Sequence, residues 1–323
     1  MKVVLTDHGF ASIEQEKTLL AAAGCELVVL QSKDPETLAV ACADADALLV
    51  QWAPINAAVI AALRHCRVIV RYGIGVDNVD LKAAGARGIP VCNVPDYCIA
   101  EVADHALALA LSLARQIPQT DAAVRAGTWK ILPPTPFPAF RTTTFATAGF
   151  GRIARAVLER ARVFGFRLAA YDPFVPANAF ADAGIQRLDL DALWRESGIL
   201  SLHLPLTADT RHMVGETSLA RMRSDSIVIN TARGGLVDTR ALARALAEKR
   251  IAGAGLDVFE TEPLEPDHPL RQAPNAILTS HTAWYSAGSV PELQLKSAEA
   301  VVRAIRGEAL VNVVNASFLK SSA

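Results

Sequence analysis

Gly149 and Gly151 stand at the end of the apolar run Phe145–Ala148, with the small Ala154 three residues beyond the second glycine. A Gly-x-Gly-x-x-Ala turn between a strand and a helix suits a dinucleotide. The first glycine permits a tight turn, the second leaves room for a pyrophosphate, and the small third residue lets the helix pack closely on its strand. Phosphate binding then falls to the backbone, because the helix start presents unpaired N–H groups and the positive end of its dipole. About 20 residues further on, Asp172 ends the run Leu168–Tyr171 and can accept hydrogen bonds from an adenosine ribose. No Lys or Arg follows before Arg187 to neutralise a 2′-phosphate, so NAD is favoured over NADP. A similar turn serves S-adenosylmethionine in methyltransferases, and the rest of the chain has to decide between the two.

Three further polar segments follow apolar runs: Asn230–Asp238 with Arg233, Gly255–Pro263 with Asp257 and Glu262, and Thr279–Ser286 with His281 and Trp284. Placed after parallel strands, they converge at the carboxyl edge of one sheet, where such sheets bind ligands. Arg71, Tyr72, Gly73 and Gly75 form a comparable loop earlier in the chain. Two glycines exposing backbone N–H groups beside a guanidinium suit a carboxylate.

The elements that must position these residues are short apolar runs separated by helical stretches. Val3–Leu5, Leu27–Leu30, Leu48–Val50, Val68–Val70 and Pro90–Val94 come first. Phe145–Ala148, Leu168–Tyr171, Ile199–Leu204, Ile227–Asn230, Gly253–Val258 and Ala276–Thr279 follow. Continuous apolar strands alternating with helices predict parallel sheets covered on both faces. The fold class expected is α/β with two doubly wound parallel-sheet domains. The first five runs make a flavodoxin-like domain, Asp7–Phe10 offering it one glycine and no nucleotide turn. A long apolar helix is expected over Glu101–Ala126, kinked or broken at Pro118, and a proline-dense loop over Ile131–Pro138. A final helix from about Val290 to Gly307 is too short for another domain and should return to the first. The nucleotide domain, residues 103–290, is therefore expected to be inserted between 1–102 and 291–323.

The glycine turn, the Arg71 loop and the segments around Arg233, Glu262 and His281 together resemble the D-isomer-specific 2-hydroxyacid dehydrogenases, over nearly the whole chain. Val94–His105 and His281–Ser286 look most like the branch of the C-terminal-binding proteins and phosphoglycerate dehydrogenases. The resemblance implies reduction of a 2-keto acid, or the reverse, by hydride transfer with NAD. Arg233 matches the arginine that grips carboxylate and carbonyl oxygens, and His281 the acid–base residue. Glu262 matches its partner, a carboxylate that favours the protonated imidazole and fixes the ring. Arg152 and Ile153 match the pair over the pyrophosphate, and Asp257 a residue beside the nicotinamide. Thr231, Ala232, His203, Pro205 and Thr210 lie along the cofactor by the same match. Arg71, Tyr72, Gly73 and Trp284 fall on the substrate side, where two aromatic walls favour a hydrophobic or thioether tail over a phosphate. A homodimer through the nucleotide domain, and closure of the two domains about a hinge to exclude water, also follow from the resemblance.

The chain departs from the pattern at Ala146–Ala148 before the first motif glycine, at Arg141–Thr144, at Ala100 before Glu101 and at Ser280 before His281. Thr147 places a hydroxyl in a strand expected to be buried, where it needs a hydrogen-bond partner. His105, His203 and His212 read as structural histidines, although the resemblance sets His203 beside the cofactor.

Composition bounds the rest. At 323 residues, 51% hydrophobic, the chain suits two domains. A formal net charge of −1 gives no reason to expect nucleic acid or a membrane surface. Its five cysteines have neither zinc-site nor disulfide-scaffold spacing, no histidine pair fits a catalytic metal, and no apolar run spans a membrane. The strand at Lys2 leaves no room for a signal peptide, so the cytoplasm is the expected compartment. Two other readings compete. One is an NAD-sensing binding protein like the corepressors. The other is a phosphoglycerate-type dehydrogenase, which should show more basic residues than Arg64 and Arg71 near the substrate.

Overall fold

The computed structural model describes residues 1–131 and 136–319, so residues 132–135 of the expected proline-dense loop lie outside the described residues. Two units emerge: Met1–Cys98 with Tyr285–Ala323, and Ile99–Trp284.

The first unit runs β1 (Lys2–Leu5), α1 (Glu14–Ala22), β2 (Glu26–Val29), α2 (Pro35–Ala41), β3 (Ala47–Val50), α3 (Ala57–Ala62), β4 (Val68–Arg71), α4 (Leu81–Ala86) and β5 (Val91–Cys92). Its strands are parallel in the order β2-β1-β3-β4-β5, the flavodoxin-like order. Fully buried Leu48, Val50 and Ile69 explain why the central strands read as unbroken apolar runs. Helix starts are fixed locally: Asp34, Asn56 and Asp80 each accept a backbone N–H from the first turn of α2, α3 and α4, caps each worth about 1 kcal/mol. The chain's tail belongs here too, Val314 N–H donating to the Val91 carbonyl (2.8 Å) and Asn315 Oδ1 accepting from Val91 N–H (2.8 Å).

The second unit begins with α5 (Ile99–Ala114) and α6 (Ile117–Arg125). The helix expected to kink or break at Pro118 is broken, and the break falls two residues earlier, at Gln116, which is left-handed at φ 50°. Pro118 sits in the first turn of α6, where a missing N–H costs nothing. There follow β6 (Thr144–Ala148), α7 (Arg152–Val163), β7 (Arg167–Tyr171), α8 (Ala177–Asp182), β8 (Gln186–Arg187), α9 (Leu190–Glu196), β9 (Ile199–Leu202), α10 (Glu216–Leu219), β10 (Ile227–Asn230), α11 (Thr239–Ala247), β11 (Gly253–Leu256) and β12 (Ala276–Leu278). The last helix, α12 (Ser289–Arg306), lies in the first unit. The seven strands are parallel in the order β12-β11-β10-β9-β6-β7-β8. The order in which successive strands are added reverses between β6 and β9, with Ala148 opposite Leu202 on one side and Tyr171 on the other. Such a doubly wound sheet binds its ligand at that switch, beyond the carboxyl ends of the strands. The two-residue β8 escaped sequence reading because Gln186 and Arg187 are exposed and carry no apolar pattern.

Candidate active site

Gly149 follows β6 directly at the switch. Its φ is +99°, and a Cβ there would lie 2.6 Å from the His203 carbonyl oxygen, so no other residue fits without moving β9's exit. A Cβ at Gly151 would meet nothing within 4 Å, and no side chain caps α7. The glycine at 151 is thus not demanded by protein packing, and the helix start opens on free space, as a pyrophosphate needs. Ala154 is fully buried against the sheet. The Thr147 hydroxyl finds its partner two residues on, donating to the Gly149 carbonyl at 2.8 Å.

Asp172 directly follows β7, its carboxylate held by two backbone N–H groups, Phe150 at 2.9 Å and Phe174 at 3.0 Å, which ties the acidic tip to the glycine turn. Beyond it lies a cavity of about 890 Å³, walled by Asp172, Phe174, Pro205, Thr210 and Met213. Thr210 donates its hydroxyl to the Pro205 carbonyl (2.7 Å), fixing that wall. His203 pairs with Ser201 Oγ at 2.8 Å, and burial pushes its pKa down to about 3, so the ring is neutral. Phe174 and Met213 were missed by sequence reasoning; the only signal was their nearness to Asp172 and Thr210 in the chain.

Arg233, Glu262 and His281 come together at the ends of β10, β11 and β12. Asn230, fully buried, folds the Arg233 loop by accepting from Ala232 N–H (3.0 Å) and donating to the Arg233 carbonyl (2.8 Å). A Cβ on Gly234 would lie 1.9 Å from the Phe259 carbonyl, so only glycine lets this loop touch the segment bearing Glu262. Glu262 accepts from Phe259 N–H at 3.0 Å through one oxygen and meets His281 Nδ1 at 2.7 Å through the other. Burial pushes the Glu262 carboxyl up, but the bond to and charge of His281, the Phe259 N–H and the Arg233 guanidinium together hold it below its ordinary value. His281 adopts φ 57°, a left-handed conformation uncommon for a side-chain residue. Asp257, 1% exposed, accepts from the Thr279 hydroxyl (2.6 Å) and from Thr282 and Ala283 N–H (2.9 Å each). Thr231 Oγ1 is buried with no hydrogen-bond partner among the described residues. A bound polar group would relieve that cost.

A model of the D-isomer specific 2-hydroxyacid dehydrogenase NAD-binding domain matches residues 107–283. The chain belongs to this family. It is 40% identical over 281 residues to a glyoxylate reductase of Korarchaeum cryptofilum, covering 86% of this chain and 85% of that one. It is 39% identical over 299 residues to a D-3-phosphoglycerate dehydrogenase of Mycobacterium bovis, covering 92% of this chain but 56% of that protein. A D-lactate dehydrogenase of Aquifex aeolicus, solved with NAD and lactic acid, superposes with a TM-score of 0.87 at 25% identity, covering 95% of this chain and 96% of that one. The methyltransferase alternative is thereby excluded. This 2-hydroxyacid dehydrogenase is an NAD-dependent oxidoreductase, and the open glycine turn and the orphaned Thr231 hydroxyl fit that cofactor.

The dehydrogenase's first unit holds Arg71, Tyr72 and Gly73, three of the residues expected on the substrate side. Gly73 has φ +132°, and a Cβ there would collide with Arg71 Nη1, so the glycine lets the guanidinium fold across the loop. Tyr72 is 2% exposed, its hydroxyl donating to Glu16 Oε1 at 3.1 Å and its ring set edge-on to Phe10. Trp284 ends the second unit, half-buried.

Glu262 gives a pH-dependent prediction. Its folded pKa lies below its unfolded one, so its contribution to stability is complete above the ordinary value of 4.5 and is lost as pH falls through the lower folded value. Thermal melts of wild type and Glu262→Gln should differ most at neutral pH and converge as the pH drops through that window. A gap that widens in acid would contradict the depressed carboxyl.

Proposed function

We propose that this dehydrogenase interconverts a 2-keto acid and its D-2-hydroxy acid through Arg233, Glu262 and His281. The observation that carries the reading is the His281–Glu262 pair at 2.7 Å. Glu262 can only accept as a carboxylate, so Nδ1 donates and proton exchange with substrate falls to Nε2. In reduction, Nε2 gives its proton to the carbonyl oxygen as that oxygen gains charge; in oxidation the neutral ring removes the hydroxyl proton. Arg233 grips the carboxylate and carbonyl oxygens with its planar fork. When bound, NADH supplies the hydride. Gly149, Gly151 and the N–H groups of Arg152 and Ile153 hold its pyrophosphate, and Asp172 its ribose. His203, Pro205, Thr210, Thr231, Ala232 and Asp257 line its length.

The substrate we favour carries a hydrophobic or thioether side chain, a preference that now rests on the half-buried Trp284 and no longer on Tyr72. Purified protein should oxidise NADH with one or more of glyoxylate, pyruvate, hydroxypyruvate, phenylpyruvate, 4-methylthio-2-oxobutyrate and phosphohydroxypyruvate, with NADPH run in parallel. Silence on the whole panel, with NADH bound, would move the function to cofactor sensing. Asp172→Ala should lower the NADH/NADPH ratio of kcat/KM roughly 10–100-fold, the value of a hydrogen bond to a charged group. An unchanged ratio would mean the ribose is read elsewhere.

We also propose a homodimer through the second unit, working in the cytoplasm. Helix α6 buries none of its residues, and Ile117, Val124 and Trp129 are more than half exposed, a face that a second copy would cover. No described helix is long and apolar enough to cross a membrane. Sedimentation at micromolar concentration should give twice the chain mass of 34.4 kDa.

A further inference from the structure

We infer that His105 is a positioning residue for His281, acting through Thr279 and Asp257; the inference rests on the catalytic reading of His281 above. His105 lies on α5, far in sequence from the other members, and its Nε2 is 3.0 Å from Thr279 Oγ1 and 3.6 Å from Asp257 Oδ1. Thr279 has one hydroxyl proton and donates it to Asp257 Oδ1 at 2.6 Å. Its oxygen can therefore only accept from His105, which fixes that ring with a proton on Nε2.

The consequence lies in what Asp257 holds. Its carboxylate accepts from Thr282 and Ala283 N–H, and its backbone carbonyl accepts from His281 N–H at 2.8 Å. One buried residue thus anchors both sides of His281, whose left-handed backbone persists only while its surroundings over-determine it. The Thr279 hydroxyl orients the Asp257 carboxylate, and the His105 N–H orients the hydroxyl. Without that donor the hydroxyl is free to turn away, and the loop carrying the acid–base group loses its registration. Displacements of this kind cost rate rather than binding.

The test compares His105→Ala, His105→Leu, His105→Gln and Thr279→Val in the full chain. The alanine and leucine variants should lose roughly 10–100-fold in kcat while KM and the NADH Kd stay within about 3-fold. Glutamine, whose amide can donate in place of Nε2–H, should recover most of the loss. Adding His105→Ala to Thr279→Val should cost nothing more. Wild-type kcat in the leucine variant, or glutamine no better than leucine, would overturn the proposal. A wild type silent on every keto acid would count against the catalytic reading instead, and ring-nitrogen NMR then decides. His281 resonances that move in His105→Leu and return in His105→Gln sustain the relay, and resonances that stay put in both overturn it.

Discussion

Replacing His281 by alanine should leave NADH binding within about 2-fold of wild type and lower kcat by roughly 10²–10⁴-fold, the range of general acid–base catalysis. The separation follows from where the ring sits. The glycine turn, Asp172 and the cavity beside it lie at the ends of β6, β7 and β9, whereas His281 follows β12 and is held by Glu262 and by Asp257's carbonyl. Removing the imidazole takes away the proton donor and leaves the nucleotide walls in place. It also leaves Glu262 without the partner that does most to offset its burial, so a secondary loss of order in the 259–262 segment is part of the expected effect. Stopped-flow single turnovers would place the loss in the chemical step. Near-wild-type kcat would sink the assignment of His281, and a large rise in the NADH Kd would make it a structural residue of the cofactor site.

Arg233→Lys should reduce kcat/KM roughly 30–1000-fold, equivalent to about 2–4 kcal/mol for a truncated charge pair, with the NADH Kd again little changed. The charge survives this substitution and the geometry does not. Arg233 donates from Nη1 to the Ala232 carbonyl at 2.6 Å, which fixes the direction of its planar fork. A lysine ammonium is a single point on a flexible stem and cannot brace itself and present two parallel donors at once. Because Gly234 packs against the Phe259 carbonyl, the loop has no freedom to carry a shorter head group forward. Steady-state kinetics on the best keto acid of the panel, with fluorescence titration of NADH, separates the outcomes. A loss under about 3-fold would show that the substrate carboxylate is gripped by another cation.

The parts legible in the chain alone are those whose physics is local. The central strands of the two sheets are buried on both faces, so Leu48–Val50 or Ile227–Asn230 announces itself as an apolar run whatever its neighbours are. The glycine turn is legible because a tight strand-to-helix turn beside a phosphate leaves few residue types to choose from. The resemblance carried by the Arg233, Glu262 and His281 segments led to the same family that the NAD-binding-domain match establishes. Elements whose cause is not local were read less well. The helix break at Gln116 is a left-handed residue set by the turn between α5 and α6, not by Pro118 itself.

Composition and motif order, then, determined two α/β sheets, an NAD turn and a set of chemistry-bearing residues at strand ends. Only the tertiary structure decided which partners those residues meet. Thr147, an apparent defect in a buried strand, is satisfied by the Gly149 carbonyl. Tyr72, expected at the substrate, is packed inside its unit on Glu16. His105, read as a structural histidine, donates toward the residue that holds the acid–base loop. In each case the deciding contact is a hydrogen bond whose geometry depends on a backbone turn or on a partner distant in sequence. Neither residue type nor spacing encodes such a contact, because it exists only once the turn is formed or the distant element has been packed in place.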